Sequence, residues 1–167
     1  KANDGTADSN VATVTINVTA GANVAPVAND QSVPTAEDTP VNITLTATDA
    51  NGDSLTYSIV AQPAHGTLSG TAPNVTYTPA ANYAGTDSFT FKANDGTADS
   101  NVATVSINVT AVNDAPVADD KSASTAEGLP VNITLTGSDV DGDPLSYSIV
   151  TGPTHGVLSG NGAVVTY

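Results

Sequence analysis

The sequence predicts an all-β protein made of tandem β-sandwich units, and three observations carry that prediction. The first is composition: 14 Gly and 10 Pro punctuate a chain of 167 residues rich in Thr, Val and Asn, a mixture that favours strands and turns over helices. The second is a set of short runs in which apolar and polar residues alternate with period two, the mark of a strand with one buried face. The third is an internal repeat, which decides the architecture before any local reading does.

The repeat is nearly perfect over two stretches. KANDGTADSNVATVTINVTA at 1–20 returns as KANDGTADSNVATVSINVTA at 92–111, differing only at Thr15 and Ser106. SVPTAEDTPVNITLTATDANGDSLTYSIVAQPAHGTLSG at 32–70 returns as SASTAEGLPVNITLTGSDVDGDPLSYSIVTGPTHGVLSG at 122–160. The linkers AGANVAP (20–26) and AVNDAP (111–116) differ by one residue, which makes the two offsets 91 and 90. Residues 1–20 therefore read as the C-terminal strand region of a preceding repeat. Residues 21–111 read as a complete sandwich repeat, and 112–167 as the N-terminal part of a following one. Neither partial copy holds a counterpart of 78–91. The expectation is a window onto a longer array, or a subunit that completes its sandwich with a neighbouring chain.

Within the complete unit, alternation marks strands at 41–48, at Leu55, Tyr57 and Ile59, at Val75 and Tyr77, at Phe89 and Phe91, and at Ala103, Val105, Ile107 and Val109. An opening strand near 28–35 and a short one near 66–69 bring the count to about seven, the number of an Ig-like sandwich. Asn51-Gly52, Pro63, Gly66, Gly70, Pro79, Gly85 and Asp95-Gly96 supply the turns between them. Tyr83, just ahead of the Phe89 strand, is a candidate corner tyrosine. A parallel β-solenoid is the rival all-β reading, but its repeats are far shorter than 90 residues. Aromatics make up 4% of the chain and Trp is absent, so each core is small and built from aliphatic and Thr side chains.

Charge narrows the partners. Three lysines face 17 acids, for a net charge of −14. Nothing could neutralise nucleic-acid phosphates or an anionic membrane surface, and no apolar run is long enough to span a bilayer. With no Cys, the units cannot be stapled by disulfides, and a metal is the remaining common staple for small secreted domains.

The acids gather at turns: Glu37-Asp38, Asp49/Asn51/Asp53, Asp95, Asp99 and Asn113-Asp114, then Asp119-Asp120, Glu127 and Asp139/Asp141/Asp143. Ca²⁺ takes six to eight oxygen ligands, and Asp-x-Asn-Gly-Asp and Asp-x-Asp-Gly-Asp offer several on one turn. The EF-hand loop does not fit, because Gly52 comes too early and no bidentate Glu follows. Asp-Gly and Asn-Gly turns also occur as plain hairpin chemistry, and surface acids as solubilisers.

Four motifs, TAED (35–38), TDANGDSLTYSI (48–59), FKANDG (91–96) and VNDAP (112–116), give the chain its family likeness. It resembles the bacterial cadherin-like and Ig-like tandem repeats of large extracellular adhesins, along essentially its whole length. The resemblance implies an elongated array of sandwiches with calcium at the junctions between consecutive units. Carried onto matching positions, the 112–116 junction would use Glu37, Asn113, Asp114, Asp139 and Asp141. The 21–26 junction would use Asn23, Asp49, Asn51 and Asp95. Two departures matter: Val24 stands where Asp114 stands in the other linker, and the acidic Asp-x-Glu motif before the sixth strand has no counterpart, Asp87 lying nearby but out of position.

Other signals read more plainly. His65 and His155 sit in matched Pro-x-His-Gly turns, and one His per unit without Cys argues against zinc. A Ser–His–Asp set can be drawn from Ser69 and His65, but no nucleophile elbow accompanies it. Asn-x-Thr sequons at Asn17, Asn42, Asn74, Asn108 and Asn132 fall on the outward phase of their strands, as alternation in Thr/Asn-rich strands produces unaided. An isopeptide staple at Lys92 would need an Asn beside it in the core, and nothing in the sequence brings the two together.

The functional expectation is a non-catalytic structural or adhesive repeat at the cell surface or outside the cell. It would form a rod, stalk or filament with calcium-stiffened junctions. Its partners would be neighbouring repeats or like subunits head to tail, and a surface ligand of unknown identity. The alternatives are a strand-donating filament subunit and an accessory carbohydrate-binding module of a larger secreted protein.

Overall fold

A computed structural model describes residues 1–19 and 21–167; Ala20, the last residue of the 1–20 segment, lies outside them. The described residues contain strands and no helix. Nine strands build the middle unit: β1 (Val27–Ala28), β2 (Gln31–Ala36), β3 (Val41–Thr44), β4 (Ala47–Thr48), β5 (Thr56–Ala61), β6 (Gly66–Thr71), β7 (Asn74–Pro79), β8 (Gly85–Asn94) and β9 (Ala103–Thr110). One sheet has the order β2-β9-β8-β5, with β2 parallel to β9 and the rest antiparallel; the other has the order β3-β7-β6. This is an all-β sandwich.

The core lies between these sheets, where alternation directs it. Ile43, Leu45, Val75 and Tyr77 come from one side, and Phe89, Phe91, Val105, Ile107 and Val109 from the other, all of them buried. The expected strand at 41–48 is split. Its in–out pattern runs on through buried Leu45, but the ladder partner changes from β7 to β1. The opening strand divides in the same way, β1 pairing with β4 and β2 with β9. Periodicity reports which face is buried and carries no signal for which neighbour is bonded.

Close packing constrains Gly66. A Cβ on Gly66 would lie 2.4 Å from Tyr77 Cε2 and 2.6 Å from the Thr78 carbonyl oxygen. Gly66→Ala is therefore expected to cost about 1–3 kcal/mol through overpacking, measured by denaturant unfolding. An unchanged midpoint would show that Tyr77 has room to move.

Residues 112–167 form a partial version of the same unit. β10 (Val117–Ala118) pairs with β12 (Gly137–Ser138), while β11 (Asn132–Thr134), β14 (Val164–Thr166) and β13 (Ser159–Asn161) form a three-stranded sheet. These ladders repeat β1–β4 and β3-β7-β6. The segments matching β2 and β5 carry no ladder, since in the middle unit those strands bond only to β9 and β8. Residues 1–19 show a related division. The loop is formed, with an Asn3–Asp8 bridge and a Lys1–Asp8 ion pair matching Asn94–Asp99 and Lys92–Asp99. Thr6 and Ala7 hold the Asp4 carboxyl down to about 2 by hydrogen bonds. Residues 12–19, matching the whole of β9, carry no ladder and are exposed.

Candidate functional site

The acidic turns lie at the N-terminal end of each unit, against the linker that enters it. In the middle unit Asp49 Oδ1 accepts hydrogen bonds from the backbone N–H of Asn51 (2.9 Å) and Asp53 (3.0 Å). Asp139 Oδ1 does the same for Asp141 (3.0 Å) and Asp143 (3.2 Å). The first Asp of each motif thus folds its own turn, and the third residue is free to reach the linker. Asn51 Oδ1 accepts from Val24 N at 2.8 Å, and Asp141 Oδ2 accepts from Asp114 N at 2.7 Å. Both linkers are held by the same bond at matched positions.

The two junctions then diverge. At 21–26, Asn23 Nδ2 donates to Asp95 Oδ2 (2.9 Å) and Asn51 Nδ2 donates to the Ala22 carbonyl (3.3 Å). Asn23, Asp49, Asn51 and Asp95 are therefore tied into local hydrogen bonds around the linker, and the bonds from Asn23, Ala98 and Thr97 hold the Asp95 carboxyl below its ordinary value. At 112–116, Glu37 is buried at 5% exposure and its Oε1 accepts from Val112 N at 2.5 Å. Glu37 lies beyond the end of β2, which β9 carries alongside the outgoing linker. Asn113 turns its amide to the Asp114 carbonyl (2.8 Å) rather than to the carboxylates.

Asp114 sits among like charges. Desolvation raises its carboxyl above the usual range, and the neighbouring charges of Asp141, Asp38, Glu37 and Asp139 raise it further. Its Oδ2 is buried without a hydrogen-bond partner, and so is Oδ2 of Asp49. The three lysines pair with Asp8, Asp99 and Asp119, away from this cluster. Among the described residues, no three acidic or histidine side chains converge closely enough to ligate one ion. The acids of the 112–116 junction share an electrostatic field rather than a coordination sphere. Their oxygens are of the hard-donor type, and Asp114 Oδ2 is buried within the field without a hydrogen-bond partner.

Two residues outside the expected set prove important. Asp38 adds to the field at Asp114 and stands at φ 54°, where the matching turn has Gly128 at φ 76°. A side chain is thus kept at a left-handed position where glycine is the easier choice. Its adjacency to Glu37 in TAED was the available signal. Asp87, out of position for a junction, is instead a buried anchor. Its carboxylate accepts from Ala64 N (2.9 Å), His65 N (2.9 Å), Ser88 N (2.8 Å) and the Tyr77 hydroxyl (2.8 Å). Tyr83 donates to the Thr86 carbonyl at 2.7 Å and stacks on His65 with 4.2 Å between centroids. His65 belongs to the turn that Asp87 anchors, and Tyr83 reaches it from the loop between β7 and β8.

Comparison with known proteins follows the same division of the chain. The sequence profile of the bacterial Ig domain matches residues 23–108 and again 113–167. Integrin beta-like protein A of Dictyostelium discoideum is 35% identical over 142 residues, covering 72% of this chain and 7% of that protein. The chain thus corresponds to a small part of this relative. Among solved structures, the protocadherin GammaB4 extracellular domain gives a TM-score of 0.47 at 19% identity, covering 86% of this chain and 29% of that one. An endo-fucoidan hydrolase of glycoside hydrolase family 107 gives 0.45 at 22% identity, covering 85% and 24%.

Proposed function

This chain belongs to the bacterial Ig domain family, and from that premise we propose that it is an extracellular, non-catalytic adhesion-type module whose 112–116 junction binds calcium. The observation that supports the metal is the charge gathered on Asp114, with an unpartnered buried oxygen and no lysine near it. Glu37, Asp114, Asp139 and Asp141 would hold the ion, with Asp38 adding to its field. Because these side chains do not yet share a coordination sphere, binding entails drawing the linker closed. Closure would convert a hinge into a stiff joint. The relative's name, integrin beta-like, is in keeping with an adhesive setting.

The sign of the electrostatic effect follows from Asp114. A carboxyl raised in the folded state favours folding when protonated, so its contribution is present at low pH and lost as pH rises through the carboxylate range. At neutral pH the repulsion stands in full, and a divalent cation would offset it. The 21–26 junction, with Val24 in place of an acid and Asn23 already bonded to Asp95, is proposed as the weaker of the two. An accessory sugar-binding role has little support, because Tyr77, Phe89 and Phe91 are buried and cannot form a stacking platform.

The test is thermal unfolding in 5 mM calcium and in excess EGTA at pH 7. Calcium at tens of times its dissociation constant is expected to raise the midpoint by about 5 °C or more. Asp114→Asn should raise the metal-free midpoint while shrinking the calcium increment, because it removes both the repulsion and a ligand. Superimposable curves for the wild-type chain would end the calcium assignment.

A further inference from the structure

The two Asp-rich turns are built alike and differ at one chemically labile position. Asn51 stands where the other turn has Asp141, and Gly52 follows it. Asparagine is a thermolabile residue, and a following glycine puts no side chain between the amide and the next backbone nitrogen. Gly52 stands at φ 78°, with no atom within 4 Å of the place a Cβ would take. Among the described residues its N–H makes no hydrogen bond, whereas Gly142 N donates to the Asp139 carbonyl at 3.3 Å. The nucleophile for a side-chain attack and the space for a succinimide ring are therefore both in place.

What stands in the way is the linker. Asn51 Oδ1 accepts from Val24 N, and Nδ2 donates to the Ala22 carbonyl. To react, Asn51 Cγ must turn onto Gly52 N, and that turn breaks both bonds. Asn23, bonded to Asp95, helps to keep the linker down. We infer that Asn51 is a self-modification site gated by the linker. The amide is shielded while 21–26 is docked and is converted to an acid in the intervals when it opens. Gly52 N forms a bond to Asn51 Cγ, the Cγ–Nδ2 bond breaks, and Nδ2 leaves as ammonia with the proton from Gly52 N. Water then opens the ring, at one carbonyl to aspartate and at the other to isoaspartate. Water is consumed and ammonia released, and nothing is oxidised or reduced. The matched turn shows how the aspartate product is accommodated, since Asp141 Oδ2 accepts from Asp114 N at 2.7 Å. An aspartate at 51 keeps an acceptor for Val24 N and loses the donor to the Ala22 carbonyl. Conversion thus gives the turn the Asp-x-Asp-Gly-Asp pattern and adds a negative charge to one that already carries Asp49 and Asp53. The change is one-way and accumulates only as fast as the linker opens.

The inference stands apart from the calcium reading and is tested on the full chain with EGTA present. Peptide mapping by mass spectrometry follows amide-to-acid conversion at Asn51 in mildly alkaline buffer, in the folded chain and in concentrated urea. Asn161, in the Asn161-Gly162 pair between β13 and β14, is the internal reference. Conversion at Asn51 is expected to be slower in the folded chain than in urea. Val24→Pro removes the N–H that holds Oδ1. Asn23→Ala cuts only the tie to Asp95, and guards against a folding defect in the first variant. Each should speed conversion at Asn51 in the folded chain about fivefold, the population change that follows loss of one ordinary hydrogen bond, and leave the Asn161 rate in place. If Asn51 stays unconverted in urea, it is no modification site and the proposal fails. Equal rates in the folded chain and in urea overturn the shield, and a rate that neither variant raises overturns the gate.

Discussion

Asp87→Ala is expected to destabilise the middle repeat by about 3–5 kcal/mol, the range for stripping a buried charged acceptor from its donors. Asp87 is 8% exposed and accepts four hydrogen bonds. Three go to backbone N–H groups and the fourth to the hydroxyl of Tyr77, itself fully buried. Alanine would take the carboxylate acceptor from the Tyr77 hydroxyl and from the N–H groups of Ala64 and His65, and the 63–65 turn would lose its anchor to β8. Asn at this position offers one acceptor oxygen and turns an NH₂ toward donors, so Asp87→Asn should recover little. The pH dependence gives a second readout. Burial alone would raise the Asp87 carboxyl, but the bonds from Ala64, His65, Tyr77 and Ser88 outweigh it and leave the group below its ordinary value. The folded-state value is thus depressed, so its contribution is present above about pH 4, the unfolded value, and is lost as pH falls further. Wild type should weaken between neutral pH and about pH 3 by a margin that Asp87→Ala lacks. Denaturant unfolding at the two pH values measures both effects, and a cost below about 1 kcal/mol at neutral pH would show that the anchor is dispensable.

Phe91→Ala should be of similar size, about 3–5 kcal/mol, for a different reason. Phe91 is 0% exposed in the middle of β8, the strand bonded on both sides, and its ring lies 6.3 Å from that of Tyr57 at a 35° tilt. Only two phenylalanines serve the chain, and both are buried in this core. Domains of this size are stable by roughly 5–15 kcal/mol in total, and the variant repeat should be largely unfolded well below the wild-type midpoint. Val60, half exposed at the edge strand β5, provides the contrast: Val60→Ala should cost under about 1 kcal/mol. Comparable losses for the two variants would mean that the core is not where the sheets place it. Loss of the repeat would also release Glu37 from the 112–116 junction, so the proposed calcium stabilisation should disappear with it.

Much of this was legible in the sequence. Period-two alternation gave the strand positions and the buried face, because the side-chain period of a strand is a local property of the backbone. The Asp-x-Asn/Asp-Gly-Asp spacing marked turns that the structure folds around their first Asp, again through bonds only two to four residues long. The role of Asp87 was not legible. Its partners lie up to 23 residues away and become neighbours only when β8 packs against the turn before β6. Asp38 was visible as an acid but not as a contributor to the field at Asp114, far along the chain. The splitting of 41–48 was hidden too, since Leu45 keeps the alternation intact while the bonded neighbour changes.

The two copies at 1–20 and 92–111 separate what each level decides. They differ at one position, Thr15 against Ser106. In both, the first ten residues fold the same loop, with the same Lys–Asp pair and the same Asn–Asp bridge. Short-range hydrogen bonds suffice for that, so sequence alone determines it. Beyond the loop, one copy is a buried central strand and the other is exposed and without a ladder. A β-strand satisfies its backbone only through another strand, so alternation states what a segment can become, and the sheet that receives it decides whether it does.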